Sequence, residues 1–204
     1  MIRILIVEDQ VIMRDSLANL INGQEDMQVV GSIGNAAAAM DICRSKTPDL
    51  VLMDVRTENN ENGIAAAAEI HALYPAIKII IMTGMPEITY MESARRAGVE
   101  SFLYKNITSE TMLATIRSTM DGYGTYPREA PSVLPGHLSF TDTEIAILRL
   151  VCEAKSRKEI ARELAMSEGS VKAVITDILN KTGYDSIIKF AVFAMSKGFI
   201  MPDA

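Results

Sequence analysis

Five short apolar runs recur along the first 122 residues, at positions 3–7, 29–32, 50–53, 78–82 and 101–104. Each has the length of a strand, and each is mostly apolar, which fits burial on both faces of a sheet. Stretches between them space their apolar residues by three or four, as at 11–21, 40–44 and 111–120, and so predict helices. The alanine runs at 36–39 and 65–68 belong to this pattern, because Ala is the best helix former. Strands alternating with helices predict a parallel five-stranded sheet with right-handed crossovers.

The last 67 residues lose the strand signal. Thr141 with Glu144 three positions on forms a capping box, and Ile145, Leu148 and Val151 then share one helix face. A second helix is expected over about 157–164. A third starts at the cap Ser167 and runs to about Lys181 before Gly183. A fourth covers about 186–197 and ends at Gly198. Between the two patterns, residues 122–136 hold three prolines and three glycines, which suit no element interior and read as a linker. The expected organisation is an α/β domain over 1–122, a linker over 123–137 and an all-α four-helix module over 138–204.

The 204 residues allow one large domain or two small ones, and 49% hydrophobic with 23% charged is the balance of a soluble globular protein. No apolar run approaches the ~18 residues of a membrane span. The apolar start at residues 1–7 is too short for a secretory signal and ends in the acids Glu8 and Asp9, so a cytoplasmic location is expected. Cys43 and Cys152 fit reduced thiols better than a disulfide, and His71 and His137 have no partners for a zinc site. Charge is unevenly placed. Residues 1–122 hold 10 basic and 16 acidic side chains, net −6, whereas residues 123–204 hold 10 of each.

The polar residues that matter lie just after the strands. Ligands of an open α/β sheet bind beyond the carboxyl ends of its strands. The first strand ends in Glu8-Asp9, the third in Asp54, the fourth in Thr83-Gly84 and the fifth in Lys105. Singly each has an ordinary role: Glu8 and Asp9 as helix caps, Thr83 as a helix start, Lys105 as a solvated loop residue. Together they form a constellation. Three converging carboxylates repel unless a cation neutralises them, and Mg²⁺ suits such a site because it takes few carboxylates and keeps waters. Lys105 supplies a point charge for a phosphoryl oxygen, Thr83 a hydroxyl, and Gly84 close backbone approach. Asp54 is then placed as a nucleophile that forms an aspartyl phosphate.

Residues 1–122 resemble the receiver domain of two-component response regulators. The resemblance rests on Glu8-Asp9, on residues 48–54 ending in Asp54, on Thr83-Gly84, and on residues 97–105 ending in Lys105. It implies a flavodoxin-like (βα)5 fold and phosphate transfer to Asp54 from a sensor histidine kinase. It implies Mg²⁺ held by Asp9 and Asp54, by Glu8 through water and by the Arg56 backbone carbonyl. It also implies a switch pair, in which Thr83 moves toward the phosphate and the Phe102 ring turns inward. Phe102 rather than Tyr104 stands three before the lysine, as in the family. Two positions depart from the family pattern. The loop after Asp54 has no proline and one extra residue before Gly63, with the acids Glu58 and Glu61 added. Asn106 follows Lys105 where relatives often have proline, so a cis peptide is not expected there.

Residues 138–204 resemble the LuxR-type helix-turn-helix of the NarL/FixJ class, through residues 140–150, 157–164 and 166–172. The helix after Ser167 would be the recognition helix of the major groove. Candidate DNA contacts are Arg157, Lys158, Ser170, Val171, Lys172, Thr176 and Lys181. Val174, Asp177, Arg157 and Thr182 depart from the family's usual residues. The module's zero net charge gives little sequence-independent affinity, so DNA binding should depend on a homodimer, with Ile187, Phe190, Ala191 and Ala194 as a candidate dimer stripe. The expected function is a transcriptional response regulator whose only chemistry is acceptance of phosphate at Asp54 and its hydrolysis. Two alternatives are an output module that binds protein or acts without phosphorylation, and a Mg²⁺-dependent aspartate phosphatase or phosphotransferase. The last is disfavoured because Arg56, not a second acid, stands two residues after Asp54.

Overall fold

A computed structural model describes residues 1–84, 90–127, 140–196 and 199–200. The chain forms two compact units. In the first, five strands, β1 (Ile2–Val7), β2 (Met27–Ile33), β3 (Leu50–Asp54), β4 (Lys78–Thr83) and β5 (Ser101–Tyr104), make one sheet in the order β2-β1-β3-β4-β5. All four pairings are parallel. Helices α1 (Val11–Asn22), α2 (Ala39–Lys46), α3 (Gly63–Leu73), α4 (Tyr90–Arg96) and α5 (Ser109–Met120) connect or follow the strands. This is the (βα)5 architecture expected from the alternating pattern. β3 and β5 are buried at every position, and β4 at all but Lys78. β2 is longer than its apolar run, because its backbone pairs with β1 beyond the four apolar-read positions, across a register shift at Ile4/Leu5.

The strand order reverses direction between β1 and β3, and the segments after those two strands diverge there. That divergence opens a crevice at the carboxyl rim. Arg3 ties β1 to the end of α2, donating to Thr47 O at 2.7 Å and to the Lys46 carbonyl, so two terminal helix carbonyls are satisfied.

The second unit is helical: α6 (Asp142–Cys152), α7 (Arg157–Glu163), α8 (Glu168–Thr182) and α9 (Ile187–Ser196). Its core includes Ile147, Leu148, Val151, Ile160, Val171, Ile175, Ile178 and Phe190. Both α6 and α7 start with capping boxes, Thr141 with Glu144 and Ser156 with Glu159. The half-buried Thr182 does not leave its hydroxyl unsatisfied, since that hydroxyl donates to Ile178 O at 2.8 Å. The expected stop of the last helix at Lys197 and Gly198 lies outside the described residues, as do residues 128–137 of the expected linker and His137.

Glu144 does more than cap. It is buried, and its Oε2 accepts from the Thr141 N–H at 2.7 Å and from Lys181 Nζ at 2.7 Å. Burial alone would raise its carboxyl, but the Lys181 and Thr141 hydrogen bonds outweigh it and hold the group below its ordinary 4.5. A folded pKa below the unfolded one gives stability that is complete above 4.5 and is lost as pH falls through the lowered value. Glu144→Gln removes the charge that both partners face, and is expected to destabilise the helical unit by about 2 kcal/mol at pH 7. Urea denaturation checks this, and the difference from wild type should shrink below pH 4.

Candidate functional site

The rim of the sheet gathers the strand-end residues. Lys105, just past β5, reaches back across the rim, and its Nζ lies 2.7 Å from Asp54 Oδ2 and 2.7 Å from Glu8 Oε2. Glu8 is wholly buried, Asp54 and Thr83 nearly so. One carboxylate oxygen from each of Glu8, Asp9 and Asp54 lies within 4.8 Å of the others, a spacing that a single hard cation could bridge. Glu8 and Asp9 do not cap α1, whose cap position is Gln10. Their backbone carbonyls instead accept from the Arg14 guanidinium, at 2.7 and 3.4 Å. Thr83 is fixed by the sheet: its carbonyl accepts from the Lys105 N–H at 2.8 Å.

The electrostatics follow from this crowding. Burial pushes the Asp54 carboxyl up to about 6. Lys105 pulls against that shift, and Glu8 and Asp9 add to it. Burial would lower Lys105, but its hydrogen bonds to Asp54 and Glu8 win and raise it. A carboxylate in this setting is desolvated, oriented and held by one cation, and further positive charge is needed to balance three acids.

The extra residue after β3 is absorbed without opening the site. Residues Glu58–Asn60 form one 3-10 turn, with Asn59 in the left-handed region at φ 59°. Thr57 is buried. Its hydroxyl accepts from the Ala36 N–H at 3.0 Å and donates to Glu61 O at 3.2 Å. Glu58 N–H donates to Gly34 O at 3.0 Å, and the Glu58 carboxylate lies over Gly34. That carboxylate thus turns toward the β2–α2 loop. Arg56 and Asn62 then close the loop in an antiparallel bridge, and Asn62 caps α3 by accepting from Ile64 and Ala65. No cis peptide bond occurs among the described residues.

Phe102 is wholly buried. Its ring meets Tyr104 edge-on at 5.5 Å and lies nearly parallel to Tyr126 at 6.3 Å. Residues 123–127, expected as linker, therefore pack on the first unit. Tyr126, Thr57 and Arg14 were not legible as functional positions. Thr57 and Arg14 act on backbone atoms and Tyr126 on a ring distant in sequence, and these contacts leave no residue-type signal.

In the second unit, Arg157, Lys158, Ser170, Lys172 and Thr176 are exposed on α7 and α8. Two expectations need correction. Val171 is 0% exposed and sits in the helical core, so its side chain does not reach a groove. It follows the first turn of α8, and the 3.6-residue period turns it to the same side as Ile175 and Ile178. Phe190, Ala191 and Ala194 are likewise core, with Ile187 half-buried against it, so that stripe holds the module together. The exposed apolar residues of α9 are Ile188 and Val192, at 59% and 58%, one turn apart on the opposite side. Lys181 faces Glu144 at 2.7 Å, and Ser170 donates its N–H to the cap Ser167. Asp177 is exposed beside Thr176.

Comparisons with known proteins agree with both units. The response regulator receiver domain family matches residues 4–117, and the luxR family of bacterial regulatory proteins matches residues 138–194. The chain is 34% identical to the transcriptional regulatory protein DesR of Bacillus subtilis, over 98% of this chain and 99% of that one. It is 28% identical to the oxygen regulatory protein NreC of Staphylococcus aureus, over 96% and 97%. Among solved structures, RcsB of Salmonella enterica bound to promoter rprA in the presence of phosphomimetic BeF3⁻ shares the fold, with a TM-score of 0.68, 17% identity and coverage of 97% and 99%. Among the described residues no helix is long and apolar enough to cross a membrane. A receiver domain followed by a LuxR-type DNA-binding domain, matched over nearly the whole length of transcriptional regulators, places this chain in the response regulator family.

Proposed function

We propose that Asp54 is the phospho-acceptor of a cytoplasmic, Mg²⁺-dependent switch that controls DNA binding. The observation that carries this reading is the buried Asp54 carboxylate, held at 2.7 Å by Lys105 beside Glu8 and Asp9. A sensor histidine kinase supplies the phosphoryl group. The Asp54 oxygen forms a bond to phosphorus as the phosphorus–nitrogen bond of the kinase's phosphohistidine breaks, and the histidine leaves neutral after taking up a proton. Asp9 and Asp54 would hold Mg²⁺, with Glu8 acting through water and the Arg56 carbonyl as a further ligand. When bound, the ion offsets the charge of the incoming phosphoryl oxygens. Lys105 exchanges its carboxylate partner for a phosphoryl oxygen. Thr83 donates its hydroxyl to another, Gly84 lets backbone come close, and Phe102 answers by holding its ring inward. Phosphate acceptance and its hydrolysis are the only chemistry in this reading. The family is one of transcriptional regulators, not of typical enzymes.

The domains in this reading are a receiver over 1–122, a linker over 123–137 and a helix-turn-helix over 138–204. α8 enters the major groove, where Lys172 and Thr176 face bases. Arg157, Lys158, Ser170 and Lys181 meet phosphates, which position the module without reading sequence. Exposed Glu168 and Asp177 weaken the field of this surface. A homodimer compensates by doubling the contacts, and Ile188 with Val192 is the dimer patch in place of the buried stripe. The test is sedimentation of the full chain with Mg²⁺, with and without beryllofluoride, beside Asp54→Ala. Wild type should pass from monomer to dimer and the variant should stay monomeric. A wild type that ignores beryllofluoride refutes the switch, and constitutive protein partners of the output module become the next target.

A further inference from the structure

The chain that leaves α5 does not run straight into the tether. Tyr123 N–H donates to Ser118 O at 2.9 Å, closing the end of the helix. Next, Thr125 N–H donates to Ser101 Oγ at 2.9 Å, and Phe102 N–H donates to Thr125 O at 2.8 Å. The segment thus lies along β5, which is otherwise the edge of the sheet. Gly124 allows this approach, since a Cβ there would lie 2.5 Å from the Glu100 carbonyl oxygen. Tyr126 then sets its ring on Phe102, with planes 20° apart. Its hydroxyl donates to Val99 O at 2.7 Å, and the Arg95 guanidinium lies 4.3 Å from its ring centroid. One short segment therefore grips β5, the loop before it and α4.

The rings are layered. Phe102 is wholly buried, Tyr104 nearly so, and Tyr126 is the half-exposed outermost ring. A wholly buried ring can swing out only by displacing what covers it. An outward Phe102 and a seated Tyr126 therefore exclude each other.

We propose that residues 123–126 form a strap whose seating, through Tyr126 on Phe102, reports the state of the receiver to the tether of the helical module. The proposal rests on the reading of Phe102 as the switch ring that phosphorylation holds inward. In that state the strap is seated and the tether starts at Pro127. With the ring outward the strap is released, and the tether gains four residues, about 14 Å of extended reach. A shorter tether raises or lowers the concentration of one module near its neighbours with no new contact at the DNA. Coupling is reciprocal: if the phosphorylated state favours the seated strap, the seated strap favours phosphorylation. Tyr126 and Arg95 are positioning residues, since neither touches Asp54 or its partners.

The experiment uses the full chain with Mg²⁺. Beryllofluoride affinity is read by fluorine NMR, and exchange of the Phe102 and Thr125 amides by proton–deuterium exchange. In wild type, beryllofluoride should slow both amides by about tenfold, and Tyr126→Ala should bind it about fivefold more weakly with no slowing. Tyr126→Phe keeps the ring and should recover most of the affinity. Arg95→Ala provides a second reading if Tyr126→Ala loses its fold, with an affinity loss of about twofold. The strap is overturned if Tyr126→Ala (or, where that variant unfolds, Arg95→Ala) matches wild type, or if wild type binds beryllofluoride with unchanged exchange. A wild type that does not bind beryllofluoride at all overturns instead the phosphorylation reading beneath it.

Discussion

Replacing Lys105 with methionine lowers the unfolding free energy of the receiver unit by about 3–5 kcal/mol at pH 8, the usual cost of removing one partner from a buried ion pair. Glu8 and Asp54 keep their burial, and their carboxylates then face each other with Asp9 beside them and no cation. The pH dependence carries a definite sign. In wild type the Asp54 carboxyl is already pushed up to about 6 from 3.8, so the folded state holds its proton more tightly than the unfolded chain. Stability from this group is present below pH 3.8 and is lost as pH rises through about 6. Without Lys105 the folded value rises further, because a hydrogen bond and a charge that opposed the shift are gone. The gap between variant and wild type should therefore narrow as pH falls from 8 to 5. Millimolar Mg²⁺ should restore more stability to the variant than to wild type, because the ion replaces the missing charge. Urea unfolding followed by circular dichroism measures all three effects. A variant as stable as wild type at pH 8 would mean that the three carboxylates are not held together.

The second large effect is at Gly63, the first residue of α3. Its N–H donates to Val55 O at 2.9 Å, which draws the helix start against the end of β3. A Cβ there would lie 1.8 Å from the Asp54 carbonyl oxygen and 2.9 Å from the Met53 side chain. The first obstacle is backbone and cannot rotate away. Gly63→Ala must either push α3 off the sheet or pull Asp54 out of line. A loss of at least about 3 kcal/mol is expected, toward the diagnostic end of single substitutions. Any folded fraction should accept phosphate from a small phosphodonor much more slowly than wild type, because Asp54 no longer points where Lys105 and Thr83 converge. Thermal denaturation and phosphate uptake read the two consequences. A variant with unchanged melting and uptake would show that the contact relaxes freely.

Much of this was legible in the sequence because it has a period or a sign. β3, β4 and β5 showed as apolar runs since they are buried on both faces, whereas β2 at the sheet edge buries only Met27; the acids at the strand ends stood out against those runs. Glu144 was readable as a cap from Thr141, although its pairing with Lys181 joins positions 37 residues apart and left no local trace. The dimer stripe failed for a physical reason. Phe190, Ala191 and Ala194 lie on one side of α9, but an apolar stripe shows that a helix buries a face, not what it is buried against. Here that face packs on the module's own core, and Ile188 and Val192 are left outside. Val171 was missed by a smaller margin: its neighbours Ser170 and Lys172 are exposed, and one residue is 100° of helix. The residues around 123–127 looked like linker because Gly and Pro mark irregular backbone equally well whether it is free or fastened.

The 3-10 turn after β3 makes the length of that loop a separate variable from the geometry of the rim. Thr57 is anchored to Ala36 on one side, and Asn62 locks α3 on the other. The surplus residue is spent between these two anchors, where Asn59 takes the left-handed bend. Insertions or deletions confined to residues 58–61 can therefore change the shape and charge that an incoming molecule meets at the lip of the crevice. They do so while Asp54 and the start of α3 keep their places. Such a loop can diversify in size as a surface feature, like an interchangeable fitting on a fixed socket.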